Sequence, residues 1–463
     1  MKYYPLFRCL FGGALLALLT CATNDSQNTA VTDPMPPGES AERVRLVTLD
    51  PGHFHAALVQ KTMYPGVDST VHVYAPAGQD LDLHEERIAR YNDGDDATAW
   101  KQVVYTGPDY LERMLADGAG NVVVLSGNNG RKTEYIRAAI DGGLNVLADK
   151  PMVIDPAEYG MLEDALRKAD ASGLLLYDIM TERFEVTTML QRALSQEPSV
   201  FGELLPGTVD EPAISKESVH HFSKTVSGAP LIRPAWFFDV AQQGEGMVDV
   251  ATHLVDLILW EAFPDEPIDT TEVEVLRARR WSTDLSQEQF AKVTGLQGFP
   301  EDLEKDVRGD KLEVFSNGQI DFTVRGIHGK AAVIWNFEAP PGAADTHYSI
   351  MRGSGADLVI RQDAAQQYVP TLYVEPKTDL QQEKLQRILD GLQNRFPGVS
   401  ARAEGEGYVI DIPEALRKGH EAHFGQVTEQ FLQYLAAGEM PEWERTNMLT
   451  KYYVTTNGYN MSR

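Results

Sequence analysis

Lys150 closes the apolar stretch Asn145-Val146-Leu147-Ala148-Asp149 and is followed by Pro151. About a hundred residues later comes Gly244-Glu245-Gly246-Met247-Val248-Asp249-Val250-Ala251-Thr252-His253-Leu254-Val255-Asp256. An ammonium group stabilises a developing alkoxide, and an imidazole titrates near neutral pH, so it can take a proton without further help. Together with a carboxylate, these groups can move a proton off an alcohol while a cofactor takes the hydride. Read as one helix, positions 249, 253 and 256 follow an i, i+4, i+7 spacing and share a face. Lys150, His253 and Asp249 are therefore the candidate catalytic residues. Asp249 could orient the imidazole or grip a substrate hydroxyl, and Asp256 is expected to be structural. The plainer alternatives are an exposed lysine in a strand-to-helix turn and a core histidine on an apolar helix.

The elements that must position these groups fall into two textures. Val44–Leu49, Val71–Ala75, Asn121–Leu125, Asn145–Ala148 and Leu174–Tyr177 are short apolar runs separated by helical patterns, which predicts a doubly wound parallel sheet. Beyond Glu182 the runs lengthen and alternate, at Glu272–Ala278, Lys311–Phe315, Gln319–Val324 and Ala331–Phe337, which predicts a mostly antiparallel sheet with one covered face. Asn317-Gly318 reads as the turn of a hairpin. The expected fold is thus an N-terminal Rossmann-type α/β domain over 43–173, then an α+β domain over 174–463. An α/β insertion is expected near 365–412, and helices over Glu414–Leu435 and Trp443–Val454.

This order of strand, Lys-Pro, glycine-rich loop and Asp-x-x-x-His resembles the Gfo/Idh/MocA oxidoreductases, with Asp149 where that family usually has glutamate. The resemblance spans Arg43 to Ala262 and the sheet expected after it. It implies a Rossmann domain binding NAD or NADP and an open sheet whose face forms a sugar pocket. It also implies that Lys150 bonds the reacting carbinol oxygen and that Ser126, Asn128 and Asn129 lie against the nicotinamide side. Asp149 joins them as a cofactor-site candidate, and homo-oligomers are common in such families.

A dinucleotide needs Gly-x-Gly-x-x-Gly after the first strand, so that its pyrophosphate meets bare backbone. Here the stretch is Asp50-Pro51-Gly52-His53-Phe54-His55, with Gly52 alone surviving. Asp50, Gly52, His53, Phe54 and His55 are the candidate loop contacts. The second strand ends Tyr74-Ala75-Pro76, without an acid for the ribose. His53-x-His55 near Asp50 could ligate a metal, and His220-His221 adds nitrogen donors, but no second motif closes a tetrahedron. The expectation is no metal. His220, His221 and Trp236 are carried as substrate-pocket candidates, Trp236 because an aromatic can stack on a sugar ring.

The chain has 463 residues and a formal charge of −27, which argues against nucleic acid and anionic membrane surfaces as partners. Lys2, Arg8 and the apolar run Cys9–Leu19 read as an export leader over 1–21. Leu18-Leu19-Thr20-Cys21 is similar to a lipobox, so Cys21 is the expected lipid anchor of a periplasmic or cell-surface bacterial lipoprotein. The polar, Pro-rich stretch 22–42 reads as a flexible linker. Three functions follow. The first is an NAD(P)-dependent oxidoreductase acting on a sugar or glycoside hydroxyl. The second, which the resemblance adds, is a redox-neutral NAD-dependent glycoside hydrolase. The third is a carbohydrate-binding lipoprotein that keeps the fold without the cofactor.

Overall fold

Four-residue runs such as Leu46–Leu49 and Val122–Leu125 are buried along their whole length, as parallel strands covered on both faces must be. In a computed structural model describing residues 43–226 and 229–463, they form a six-stranded, wholly parallel sheet. Its strands are β1 (Leu46–Leu49), β2 (Thr70–Ala75), β3 (Lys101–Thr106), β4 (Val122–Leu125), β5 (Asn145–Asp149) and β6 (Leu176–Ile179). The order β3-β2-β1-β4-β5-β6 reverses direction between β1 and β4. That switch point opens a crevice at the strands' C-terminal ends, where ligands of such sheets bind. Helices Gln79–Asp93, Tyr110–Asp117, Lys132–Asp141 and Tyr159–Ala171 flank it. The leader, Cys21 and the linker lie outside the described residues.

The second sheet is larger. It contains β7 (Ile214–Ser223), β10 (Val273–Ser286), β11 (Val307–Arg308), β12 (Lys311–Val324), β13 (Ile327–Glu338), β14 (Thr346–Arg352), β15 (Ala356–Gln362), β16 (Thr371–Pro376), β17 (Ser400–Glu404) and β18 (Gly407–Asp411). A separate two-stranded pair is formed by β8 (Thr225–Val226) and β9 (Ala229–Pro230). All pairings in the large sheet are antiparallel except β13 with β7. The stretch read as an insertion supplies β16, β17 and β18, which extend this same sheet at its edge, with helix Gln382–Gly391 packed through Leu385 and Leu389 into the same core. Helix Ala251–Ala262 covers the sheet with Leu254, Val255, Ile258 and Leu259. Among the described residues no helix is long and apolar enough to cross a membrane.

Two local expectations are corrected. Asn317-Gly318 is no turn, because both residues lie within β12. Asn317 spends its side chain across the sheet: it donates to Trp281 O and Thr283 Oγ1 and accepts from the Trp335 amide. Gly318 is required because a Cβ there would come within 2.8 Å of Met247. The hairpin turns instead at Arg325-Gly326, both at positive φ, between the paired Val324 and Ile327, the geometry of a two-residue I′ loop. The second correction concerns the helix that carries His253. It begins at Ala251, so Asp249 belongs to the turn before it.

Candidate active site at the mouth of the parallel sheet

β5 delivers Lys150 to the crevice, and the turn before helix Ala251–Ala262 delivers Asp249 to meet it. Lys150 Nζ lies 2.5 Å from Asp249 Oδ1, and Asp249 Oδ2 accepts from Gln243 Nε2 at 3.0 Å. The lysine is one-tenth exposed and the carboxylate less, so the pair is a charge-assisted contact shielded from water. The turn is held where it is by close backbone packing: a Cβ on Gly246 would fall 1.7 Å from Ser316 O of β12. That glycine admits the close approach of a strand.

His253 stands in the first turn of the helix and lines the same cavity, which measures about 750 Å³. Its Nδ1 is buried without a hydrogen-bond partner. Burial, reinforced by the charge of Lys150, holds its pKa well below the usual imidazole range. The ring is therefore neutral. Asp256 is not among the cavity-lining residues. It is clamped by Arg183 at 2.6 Å and by Lys451 at 2.8 Å, as a structural group.

The opposite wall comes from the large sheet. His220 stacks on Trp335 with ring centroids 5.0 Å apart, and its Nε2 is buried without a partner. Burial opposes ionisation of Asp345, but hydrogen bonding from His220 and the charge of Lys224 hold it well below the usual carboxylate range. His221 pairs with Asp345 at 2.8 Å and is not among the cavity-lining residues. Sequence reasoning missed Glu182, Trp335, Asp345, His347 and His420, all of which line the cavity. Burial, with repulsion from Glu185, pushes Glu182 up to about 7. A cavity lined by imidazoles, carboxyl groups and ammonium groups offers hydrogen-bond partners to a polyhydroxylated ligand.

The loop after β1 is where the expectations diverge most. Trp236, expected against a sugar ring, lies on Gly52 instead: a Cβ there would be 3.1 Å from the indole and 3.0 Å from Asp80 Oδ2. Indole Nε1 donates to that same Asp80 oxygen at 2.8 Å. The loop's amides are spent on their own neighbourhood, Gly52 N–H on Asp50 O and His53 N–H on Ser126 O. Asp50, at φ 49°, accepts from Tyr135 at 2.8 Å. Ser126 donates to Asp149, Asn128 to Gln242, and Asn129 to the Gln243 carbonyl. His53, Phe54 and His55 line the cavity. The cavity beside Lys150 is open, whereas the space over Gly52 is filled by Trp236 and Asp80.

Residues 190–463 match the family described as "Putative oxidoreductase C terminal domain". Among solved structures, a putative oxidoreductase from Parabacteroides merdae is 51% identical, with a TM-score of 0.88 over 91% of this chain and 98% of that one. Levoglucosan dehydrogenase in complex with NADH is 12% identical, with a TM-score of 0.59 over 90% and 96%. A 3-ketoreductase from Actinomadura kijaniata in complex with NADP is 14% identical, with a TM-score of 0.52 over 89% and 95%. At those identities the last two share the fold. No curated protein matches the sequence.

Proposed function

The chain belongs to this oxidoreductase C-terminal-domain family, and on that premise we propose that it is a nicotinamide-dependent oxidoreductase acting on a hydroxyl group of a sugar or glycoside. The observation that carries the reading is the convergence of Lys150, Asp249 and the unpartnered His253 on one polar cavity at the mouth of a parallel sheet. The neutral His253 ring takes the hydroxyl proton. Lys150, held by Asp249, donates to the substrate oxygen and stabilises its developing charge. Trp335 and His220 seat the rest of the sugar. His53, Phe54 and Lys150 would hold the nicotinamide end of the cofactor, which when bound supplies the hydride acceptor.

The test is turnover of a panel of sugars and glycosides with NAD and NADP, followed by nicotinamide absorbance. Lys150→Met and His253→Gln should each lower turnover by about 10² or more. Near-wild-type turnover in either variant would assign that residue a structural role. The filled cradle favours a second reading, carbohydrate binding without a dinucleotide. Mass spectrometry of the denatured protein separates the two, since a released dinucleotide supports the enzyme. A redox-neutral hydrolase would also release it, and would cleave a glycoside without net nicotinamide reduction. Export as a lipoprotein anchored through Cys21 is part of the proposal, resting on Leu18-Leu19-Thr20-Cys21. An intact mass without lipid on Cys21 would remove it.

A further inference from the structure

We propose that His53, His55 and Asp149 form a binding site for one divalent transition-metal ion, of the zinc and cobalt class, in the wall of the cavity. The inference rests on what has replaced the glycines of the loop after β1. Two of the side chains standing there are imidazoles, and the loop folds them toward the last residue of β5. His55 Nδ1 lies 2.9 Å and His53 Nδ1 3.7 Å from the same Asp149 oxygen, Oδ2. The two rings are nearly perpendicular, with centroids 4.0 Å apart. One donor atom from each of the three residues falls within 4.8 Å of the others, the only such group among the described residues.

Nitrogen and oxygen donors about 2.0–2.1 Å from a tetrahedral ion stand roughly 3.3–3.4 Å from one another. The observed separations bracket that spacing, so small side-chain rotations close the site. The ion takes the place of the proton shared by His55 and Asp149. His53 Nδ1 accepts from the His55 amide at 3.4 Å, a contact the ion would replace. Ser126 Oγ donates to Asp149 Oδ2 at 3.0 Å and orients the carboxylate, as outer-shell partners of metal ligands do.

The charges nearby select the ion. Lys132 Nζ donates to the backbone oxygen of Asp149 at 2.9 Å. Lys150 follows Asp149 in the chain. Two cations and a single carboxylate disfavour calcium or magnesium, which require several oxygen ligands, and leave ions that bind imidazole strongly. His53 and His55 line the cavity together with Lys150 and His253, so the remaining coordination position opens toward bound substrate. A ligand oxygen can fill it, or His420, whose ring centroid is 5.4 Å from that of His55.

The test uses the full chain, stripped with chelator, dialysed and titrated with cobalt(II) while visible ligand-field absorption is recorded. Zinc competition and calorimetry follow on the same sample. One equivalent with a tetrahedral cobalt spectrum, displaced by zinc, is the expected result. His53→Ala, at a half-buried position that leaves the core intact, should weaken affinity by about 100-fold or more. The rise in unfolding temperature that zinc produces should disappear with it. Absence of any cobalt spectrum in wild type overturns the proposal. So does equal affinity in wild type and either His53→Ala or the near-isosteric Asp149→Asn. Should a variant fail to fold, the wild-type stoichiometry and spectrum decide alone.

Discussion

Removing the Trp236 indole should tighten dinucleotide binding, an outcome opposite to that of truncating an ordinary contact residue. The ring lies on Gly52, and its N–H donates to Asp80 at 2.8 Å. A pyrophosphate seated on that loop must displace both. The hydrogen bond to a carboxylate contributes about 1.5–3 kcal/mol, and re-exposing one face of the half-buried ring adds on the order of 1 kcal/mol. Part of this is recovered when the displaced ring finds new contacts. The closed state therefore holds about 2–3 kcal/mol against binding, and apparent affinity is reduced by the fraction of molecules that are open. Trp236→Ala should lower Kd for NAD or NADP by roughly 30- to 150-fold. Trp236→Phe, which keeps a ring and loses the donor, should fall between. Calorimetric titration of the three proteins, with thermal unfolding as a folding control, measures this. An alanine variant that folds normally and binds no more tightly than wild type would refute the reasoning. If neither protein binds, the nicotinamide reading fails as well.

Glu182, pushed up by burial to about 7, can donate a hydrogen bond to ligand below that pH and can only accept above it. Sugar affinity should change through about pH 7 in wild type and be flat across that range in Glu182→Gln, as binding isotherms at several pH values would show. Arg183→Met should destabilise the fold by about 3–5 kcal/mol, because it strips a counterion from the buried Asp256 and Glu444. A denaturant midpoint within error of wild type would contradict that. Gly318→Ala sets a methyl group 2.8 Å from Met247 and should cost about 1–3 kcal/mol. Unchanged unfolding would mean that the loop before Asp249 yields freely.

The Lys150–Asp249 encounter was legible because each residue sits at the edge of a strong local signal, an apolar strand on one side and an apolar helix on the other. The parallel sheet was legible for the same reason, with one exception. β3 is an edge strand in which only Val103, Val104 and Tyr105 are apolar and no residue is fully buried, so its signal is weaker than that of the others. Asn317-Gly318 misled because its residues serve tertiary contacts, a cross-sheet amide network and a close loop, rather than the turn their types favour. Trp236 was assigned to substrate by type, yet what decides its place is Asp80, 156 positions away. His55 was read beside Asp50 by proximity in sequence. Its partner is Asp149, 94 positions on, while Asp50 turns to Tyr135. His420 and Asp345 belong to no motif, and only the folded chain brings them to the cavity.

Helix Glu442–Ser462 bears on how the molecule is made. Its Tyr452 belongs to the core of the first sheet and its Val454 to that of the second. Its Lys451 sits between Asp178 at the end of β6 and Asp256, while Glu444 completes the pairing of Arg183. The first sheet is therefore translated early but waits for a helix about 400 residues downstream of β1, a delay of roughly 20–80 s at ribosomal speed. During that interval Asp178, Asp256 and the apolar surface around Tyr177 lack their cover, and the nascent chain presents them to whatever receives it. A ribosome stalled short of Glu442 should hold a protease-sensitive chain in which neither sheet is finished, whereas release past Ser462 should close both at once.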